Sequence, residues 1–435
     1  MLARVKSAGS AVRDALSAAW SNKGRMLKIG LLTALAYLIL VPFLQPVLVN
    51  VWFWMPAWLT AIVGGYITYR MTKTSQAKAL AANKPSRSVR YLAGPATAGM
   101  LTVMLSGWFV IANTSQVLVD SEMAASIDEE ELEAMPETVQ TRLVPRATAE
   151  EYAKNSTSDN RLAAGEAHVV RVEENGKSKV WWQVPRHYTV WYGRMFGSVG
   201  EVVRIDAGAS SMRVDEESGK DAFFLFGDKS FMVESLFRLR HPFSDRGETV
   251  YWREADGTWL MLISHIKYRP TKTGTMVPTM GGVMSVSKYG WTKNYSAKEA
   301  AQRFPGAALF PPEIARKYAK AYATYHKGVY NAFVTQAQLY EISEDDNGIN
   351  KFPYFQDTKQ FGLQEVVVFE PIGPSFAFTK LLMFDAVSGK VRSFTPDGNH
   401  NINGPRKAIS NVRNADPDAD WSNYLAVEPR IVNGP

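Results

Sequence analysis

From Ile29 to Tyr69 the chain carries only two strongly polar side chains, Gln45 and Asn50. A run of that length is too long for one membrane span and right for two of about 20 residues each. Pro42, Pro46 and Asn50 mark a break inside it, which predicts a helical hairpin with spans over residues 27–44 and 53–70. A third uncharged stretch predicts a span over 91–111. Buried helices of a soluble protein would be shorter and would show a polar face.

The basic residues orient these spans. Up to residue 112 there are twelve Lys and Arg against one acid, Asp14, a net charge of +11, so the remainder of the chain carries −4 of the total of +7. Six of the twelve precede the first span and six lie between the second and third, while the hairpin turn has none. Both basic segments are therefore expected on the cytoplasmic side and everything after the third span outside it. Trp52, Trp54, Trp58 and Trp108 fall where an aromatic belt at the outer interface would lie. The apolar run starts well inside the chain and lacks a cleavage pattern, so a removed signal peptide is not expected. The resulting localisation is a multi-pass inner membrane protein with a cytoplasmic N-terminus.

This charge distribution also removes nucleic acid from the partners, because the basic excess flanks lipid rather than lining a groove. The chain has no cysteine, which excludes disulfides, thiolate nucleophiles and thiolate-bound zinc. Residues 1–25 form a basic cytoplasmic segment, read either as an interfacial helix on the cytoplasmic leaflet or as a basic tail. Small residues at helical spacing, Ala61 with Gly65 and Gly94 with Ala98, are candidate contacts between spans or between copies in a homo-oligomer. Apart from Lys28 and Arg70 at the basic ends, no charged side chain lies within a span, which argues against a pump or channel.

Beyond the anchor (26–112) an acidic stalk is expected over 113–165, with a short helix at Ala147–Lys154. The apolar period then becomes two. Asn175-Gly176 and Asp256-Gly257 each sit between alternating apolar runs, the strongest short-range hairpin signal, since such turns need positive φ. A third strand follows each hairpin, and both Gly176 to Gly257 and Ile205 to Val286 are separated by the same 81 positions. The pattern predicts repeated modules: a first β-rich unit over 166–228, a second over 229–310, and a long helix with a third unit over 311–395, before a polar tail over 396–435. The long helix is expected from Pro311 or Pro312 to about Phe333, and Ser296 with Glu299 forms a capping-box pattern before it. The fold class is thus α+β, a three-helix transmembrane anchor followed by an extracytoplasmic domain of repeated helix plus antiparallel-sheet modules.

Two phrases, Val203-Arg-Ile-Asp206-Ala207-Gly208 and Met383-Phe-Asp385-Ala386-Val-Ser-Gly389-Lys-Val391, resemble the closing strand pair of PepSY-like modules. The order of spans, stalk and repeated blocks is likewise similar to uncharacterised membrane-anchored proteins of bacteria and their large phages. The resemblance covers residues 142–395 and implies a binding or regulatory fold with no active site to carry over. The second block lacks the Asp-Ala pair.

Several catalytic look-alikes dissolve on inspection. Ser158-Asp-Asn160, Lys272-Thr-Gly274 and Ser285-Val-Ser-Lys288 are the three signatures of penicillin-recognising serine enzymes, but in the wrong order, and Ser285 and Lys288 on a strand point to opposite faces. His168, His187, His241, His265, His326 and His400 form no metal-binding spacing. Asp416, Asp418 and Asp420 begin like a calcium loop, yet Trp421 stands at the turn glycine and Val427 at the bidentate Glu. Glu344–Gly348 reads as a turn before it reads as a metal site. No catalytic residue, metal or cofactor is expected. The adjacent Trp181 and Trp182 point to opposite faces of a strand, so at least one is expected at the surface unless both faces are covered, and with Trp191 they are the candidate binding aromatics. The expected function is a non-enzymatic, membrane-anchored binding or scaffolding protein with a protein partner in the cell envelope. A membrane-tethered hydrolase of envelope material is the rival, and a His clustered with Asp or Glu in a cleft would favour it.

Overall fold

The computed structural model describes residues 37, 40–82, 85–140, 143–156, 159–174, 176–208, 214–215, 221–343, 353–373, 377–396, 402–421 and 429–430. The expected interfacial helix, most of the first span, Ser158, the Glu344–Gly348 turn and His400 lie outside these residues.

The break expected in the apolar run does not fall at its prolines. Helix α1 (Leu40–Phe53) runs through Pro42, Pro46 and Asn50 and meets α2 (Met55–Ala82) at Trp54 with a 69° bend. Pro46 has no N–H to give to the carbonyl of Pro42, and Arg238 of the folded domain donates to that carbonyl at 2.7 Å instead. Gln45 donates to Ser244 O at 2.6 Å, and Trp52 stacks obliquely on Phe243, so α1 is seated on the domain. Pro56 falls in the first turn of α2, where its missing donor costs nothing. Helix α3 (Pro85–Thr114) packs along α2 as its antiparallel partner. The close approach is made at Gly64, where a Cβ would sit 2.3 Å from Thr102 Oγ1, while Gly65, the expected contact, has open space around it. Among the described residues, Ala93–Thr114 is by itself long and apolar enough to cross a membrane, and Leu40–Phe53 with Met55–Lys78 passes as one bent pair.

The residues expected as a stalk are folded in. Helix α4 (Gln116–Ala125) packs on the long helix of the third unit, and β1 (Glu129–Leu132) joins that unit's sheet in parallel with its last strand. The first unit comprises α5 (Arg146–Asn155), β2 (Leu162–Ala164), β3 (His168–Glu174), β4 (Lys177–Tyr188), α6 (Trp191–Phe196), β5 (Val199–Asp206) and β6 (Val214–Asp215). Its sheet has the order β2-β4-β5-β6, with β3 also paired to β4. The second has α7 (Phe231–Arg240), β7 (Asp245–Arg253), β8 (Trp259–Pro270), β9 (Met276–Ser287), β10 (Thr292–Ser296) and α8 (Ala297–Arg303), in the order β10-β9-β8-β7. The third opens with α9 (Pro312–Tyr325), α10 (Gly328–Tyr330) and a π turn (Asn331–Thr335). It continues with β11 (Tyr340–Ile342), β12 (Tyr354–Thr358), β13 (Gly362–Pro371), β14 (Lys380–Asp385) and β15 (Val391–Phe394), followed by α11 (Pro405–Ala415). Its sheet runs β1-β15-β14-β13-β11, with β12 also on β13. The protein is an α+β fold, and among the described strands each expected block has one antiparallel sheet, with only β1 joining in parallel.

The helix expected to reach Phe333 stops at Tyr325, because Gly328 adopts φ +86° and turns the chain. The capping box forms as expected: Ser296 Oγ accepts from Glu299 N, and Glu299 Oε2 accepts from Ser296 N at 2.8 Å. Both predicted hairpins exist, but they are not the same turn. Glu174 pairs with Lys177, leaving a two-residue loop with Gly176 at φ +72°. In the second hairpin Arg253 pairs with Trp259, Gly257 N donates to Glu254 O at 3.0 Å and Glu254 N to Thr258 O at 2.8 Å, so only Gly257 takes positive φ, at +84°. This is a type I turn closed by a glycine bulge. The next ladder differs as well: Trp182 faces Ile205, whereas 81 positions on Ile263 faces Met284 and Val286 faces Met261.

One face of the first sheet, through Val180, Trp182, Val184, Val203 and Ile205, packs on α5 and on Leu363 and Ala386 of the third unit. Val199 and Val202 point the other way, into a core with Phe237, Tyr251, Trp259 and Met261 of the second unit. A shared core around Val170, Phe304, Leu309 and Val387 joins all three.

Candidate functional site

Both adjacent tryptophans are buried, at 6% exposure for Trp181 and 3% for Trp182. The condition for exposing one of them fails because both sheet faces are covered. Trp182 enters the core shared with the third unit and donates to Val144 O at 2.7 Å. Trp181 is roofed by cations, with the Arg204 guanidinium 4.3 Å and Lys179 Nζ 5.6 Å from its ring centroid. Trp191, at the start of α6, is 76% exposed.

The charged roof of Trp181 belongs to a cleft of about 670 Å³ between the first and second units. Arg204 on β5 stands directly across from Gln183 on β4 and donates to Glu174 Oε1 at 2.8 Å. Arg171 donates through Nε to Asp357 Oδ1 at 2.9 Å, and Ser178 Oγ to Asp357 Oδ2 at 2.8 Å, which ties β3 and the turn side of β4 to the third unit. The opposite wall is the turn of the second hairpin, Trp252 to Gly257, where Arg303 grips Glu254 at 2.7 Å. Arg253 has no acidic partner among the described residues. Gln183 is 2% exposed and lines the cleft, yet its Oε1 has no hydrogen-bond partner there. An orphaned buried acceptor costs on the order of 1–3 kcal/mol.

The wall made by β3 is a sheet edge. Inside, its outer side is used: Arg171 N donates to Gly306 O at 2.8 Å, and Val170 bridges Ala307. Only glycine fits at 306, because a Cβ there would sit 1.8 Å from Arg171 O. From Val172 to Glu174 the strand pairs with β4 alone among the described strands.

Histidine–acid pairs exist but lie elsewhere. His168 Nδ1 is 3.8 Å from Glu248 Oε2, and burial, helped by the nearby Arg146, lowers its pKa to about 3. Burial raises Glu248, and it raises the fully buried Glu365 far above the usual carboxylate range, with Glu248 and Asp385 adding to the effect. His187 Nε2 lies 3.4 Å from Asp228 Oδ1, the oxygen to which Tyr251 OH donates at 3.1 Å, and burial lowers the pKa of this imidazole as well, against the opposing pull of Asp228. None of these side chains lines the cleft.

The other motifs are structural. Lys272-Thr-Gly274 is the β8–β9 turn, seated on the end of α3: Asn113 donates to Gly274 O at 3.1 Å and accepts from Met276 N at 2.7 Å, and Trp108 Nε1 donates to Thr273 O at 3.2 Å. Ser285 is buried on β9. Asp416 caps α11, and its carbonyl accepts from Trp421 Nε1. No group of three or more metal-binding side chains occurs among the described residues.

Compared with family models, curated proteins and solved structures, the chain matches none. Its function therefore rests on its own geometry. Gln183, Arg204, Trp252 and Gly306 escaped the sequence reading, although a charged residue inside Val203-Arg204-Ile205 and a glycine between Pro305 and Ala307 were visible. Those signals gain meaning only when two distant strands and a loop converge.

Proposed function

We propose that this protein is a membrane-anchored extracytoplasmic binding protein whose cleft takes an extended peptide segment of an envelope partner. The observation that carries the reading is the end of β3 from Val172 to Glu174, which among the described residues pairs with β4 alone, next to the buried Gln183 amide and the cations Arg204 and Arg253. A peptide adding to that edge gains main-chain hydrogen bonds, and the side-chain amide and guanidinium groups supply further polar contacts. In this reading α2 and α3 cross the bilayer, with the basic segment between them in the cytoplasm. The units are proposed as PepSY-like modules. In support, Asp385 Oδ1 accepts from Val387 N and Ser388 N before Gly389 at φ +72°, and Asp206 Oδ1 accepts from Gly208 N in the first unit.

The hydrolase reading needs a histidine and an acid that reach substrate. Here those pairs are packed inside, which favours the binder. A photo-crosslinking residue at Ala255 in intact cells should give a discrete adduct, lost in Gln183→Leu with Arg204→Ala, while one at Lys298 should not. Equal adducts from both positions would refute a specific cleft. Turnover of envelope material abolished by His187→Ala would establish the hydrolase instead.

A further inference from the structure

The segment after α9 carries no charged residue from Gly328 to Gln338 and presents Val329, Tyr330, Phe333 and Val334 at 38%, 70%, 59% and 60% exposure. It is a built turn rather than a loose loop. Asn331, 6% exposed, donates to Ala337 O at 2.9 Å and accepts from Ala337 N and Thr335 Oγ1, and Gln336 and Gln338 hold left-handed conformations, at φ 49° and 55°. Holding four apolar side chains outward on a fixed scaffold exposes surface that water penalises, so it marks an interaction site.

Its position names the occupant. Helix α4 begins at Gln116, directly after α3 ends at Thr114. Helices α4 and α9 pack in opposite directions: Tyr318 near the start of α9 lies by Ser126 at the end of α4, and Tyr325 at the end of α9 lies by Asp120 in the first half of α4. The chain leaving α9 therefore heads toward the end of α3, and α10 touches α4 there, with Phe333 stacked obliquely on Tyr325. Exposed Trp108, Val110 and Ile111 continue the apolar surface on α3 itself.

We infer that Val329–Val334 is a wedge inserted into the outer leaflet of the bilayer that α3 crosses, with Tyr330 at the headgroup boundary. An apolar turn carrying an aromatic is what the interface favours. This rests on the reading of α3 as a membrane span.

Because the chain has no cysteine, single-cysteine variants of the full-length protein can each carry one environment-sensitive NBD fluorophore in vesicles of phosphatidylcholine and phosphatidylglycerol. Val334→Cys and Phe333→Cys test the wedge, Val103→Cys on the exposed face of α3 tests the span, and Lys154→Cys reports water. Shallow nitroxide lipids should quench the two wedge positions at least about threefold more than they quench Lys154, with blue-shifted emission, as for an interfacial apolar segment. Deep nitroxide lipids should quench Val103. Iodide quenching of both wedge positions equal to that of Lys154, with Val103 still quenched by lipid, would overturn the wedge and leave the span standing. Iodide access at Val103 would overturn both.

Discussion

Replacing Asp357 tests whether the first and third units are one cooperative body. Its carboxylate is fully buried and is held by Arg171 Nε at 2.9 Å and Ser178 Oγ at 2.8 Å, two groups from the first unit. Asp357→Ala strands the guanidinium, and removing one partner of a buried pair costs about 3–5 kcal/mol. Arg171 retains 20% side-chain exposure and lies 3.8 Å from Glu173, so part of its charge is recovered by water and by that carboxylate. The expected loss is then near the lower end, about 3 kcal/mol. Exchanging both partners for apolar groups, Arg171→Met with Asp357→Leu, removes the charge and its desolvation together and should cost about 1 kcal/mol or less. Urea unfolding of the full-length protein in lipid nanodiscs, followed by tryptophan fluorescence, measures both midpoints. A loss below about 1 kcal/mol for Asp357→Ala, or a double variant as damaged as the sum of its singles, would refute the argument.

Gly176→Val and Gly257→Val should each cost about 1–3 kcal/mol in the same assay, because neither site is crowded and the penalty is the positive φ alone; equal tolerance at both would contradict it. Trp182→Ala should cost about 3–5 kcal/mol and Trp191→Ala less than about 1, since only the first leaves a cavity, and similar losses would reverse the burial assignment. His168 has a folded pKa of about 3 against 6.5, so the unfolded chain binds its proton first and stability falls as pH drops from 6.5 toward 3; His168→Gln should flatten that slope. Glu365 has the opposite sign: its raised folded pKa costs stability as pH rises above 4.5, so Glu365→Gln should stabilise at pH 7.5 and make little difference near pH 4. A cysteine at Lys154 should react with an impermeant maleimide in intact cells and one at Ser75 should not, and the reverse pattern would invert the topology.

Local signals carried much of the fold. The glycine of each hairpin, the capping box at Ser296 and Glu299, and the alternation of β3, β4 and β5 all depend on neighbours a few residues away, and each led to the right element. What failed depended on distant partners. Arg238 lies 196 residues from the Pro42 carbonyl it satisfies, and nothing near Pro42 announces that the helix can continue. The acidic run near Glu129 looked solvated because its strand partner, β15, comes more than 250 residues later. A helix, a hairpin and a further strand occur in the same order in the first two units, but their registers differ, since a glycine-bulge turn and a two-residue turn share the same Asx-Gly signature. The pleat of one strand sets only the opposite directions of Trp181 and Trp182, whereas their burial is decided by what covers each sheet face.

Strand β8 has one end at the turn that walls the cleft and the other at the turn seated on the end of α3. Twelve extended residues reach about 40 Å, and the strand is hydrogen-bonded to β7 and β9 along most of that length. Its Met261 and Ile263 are buried in the core shared with the first unit. In the proposed reading, with α3 crossing a bilayer and a peptide in the cleft, this one strand joins the membrane-side end of the domain directly to the turn that faces the ligand.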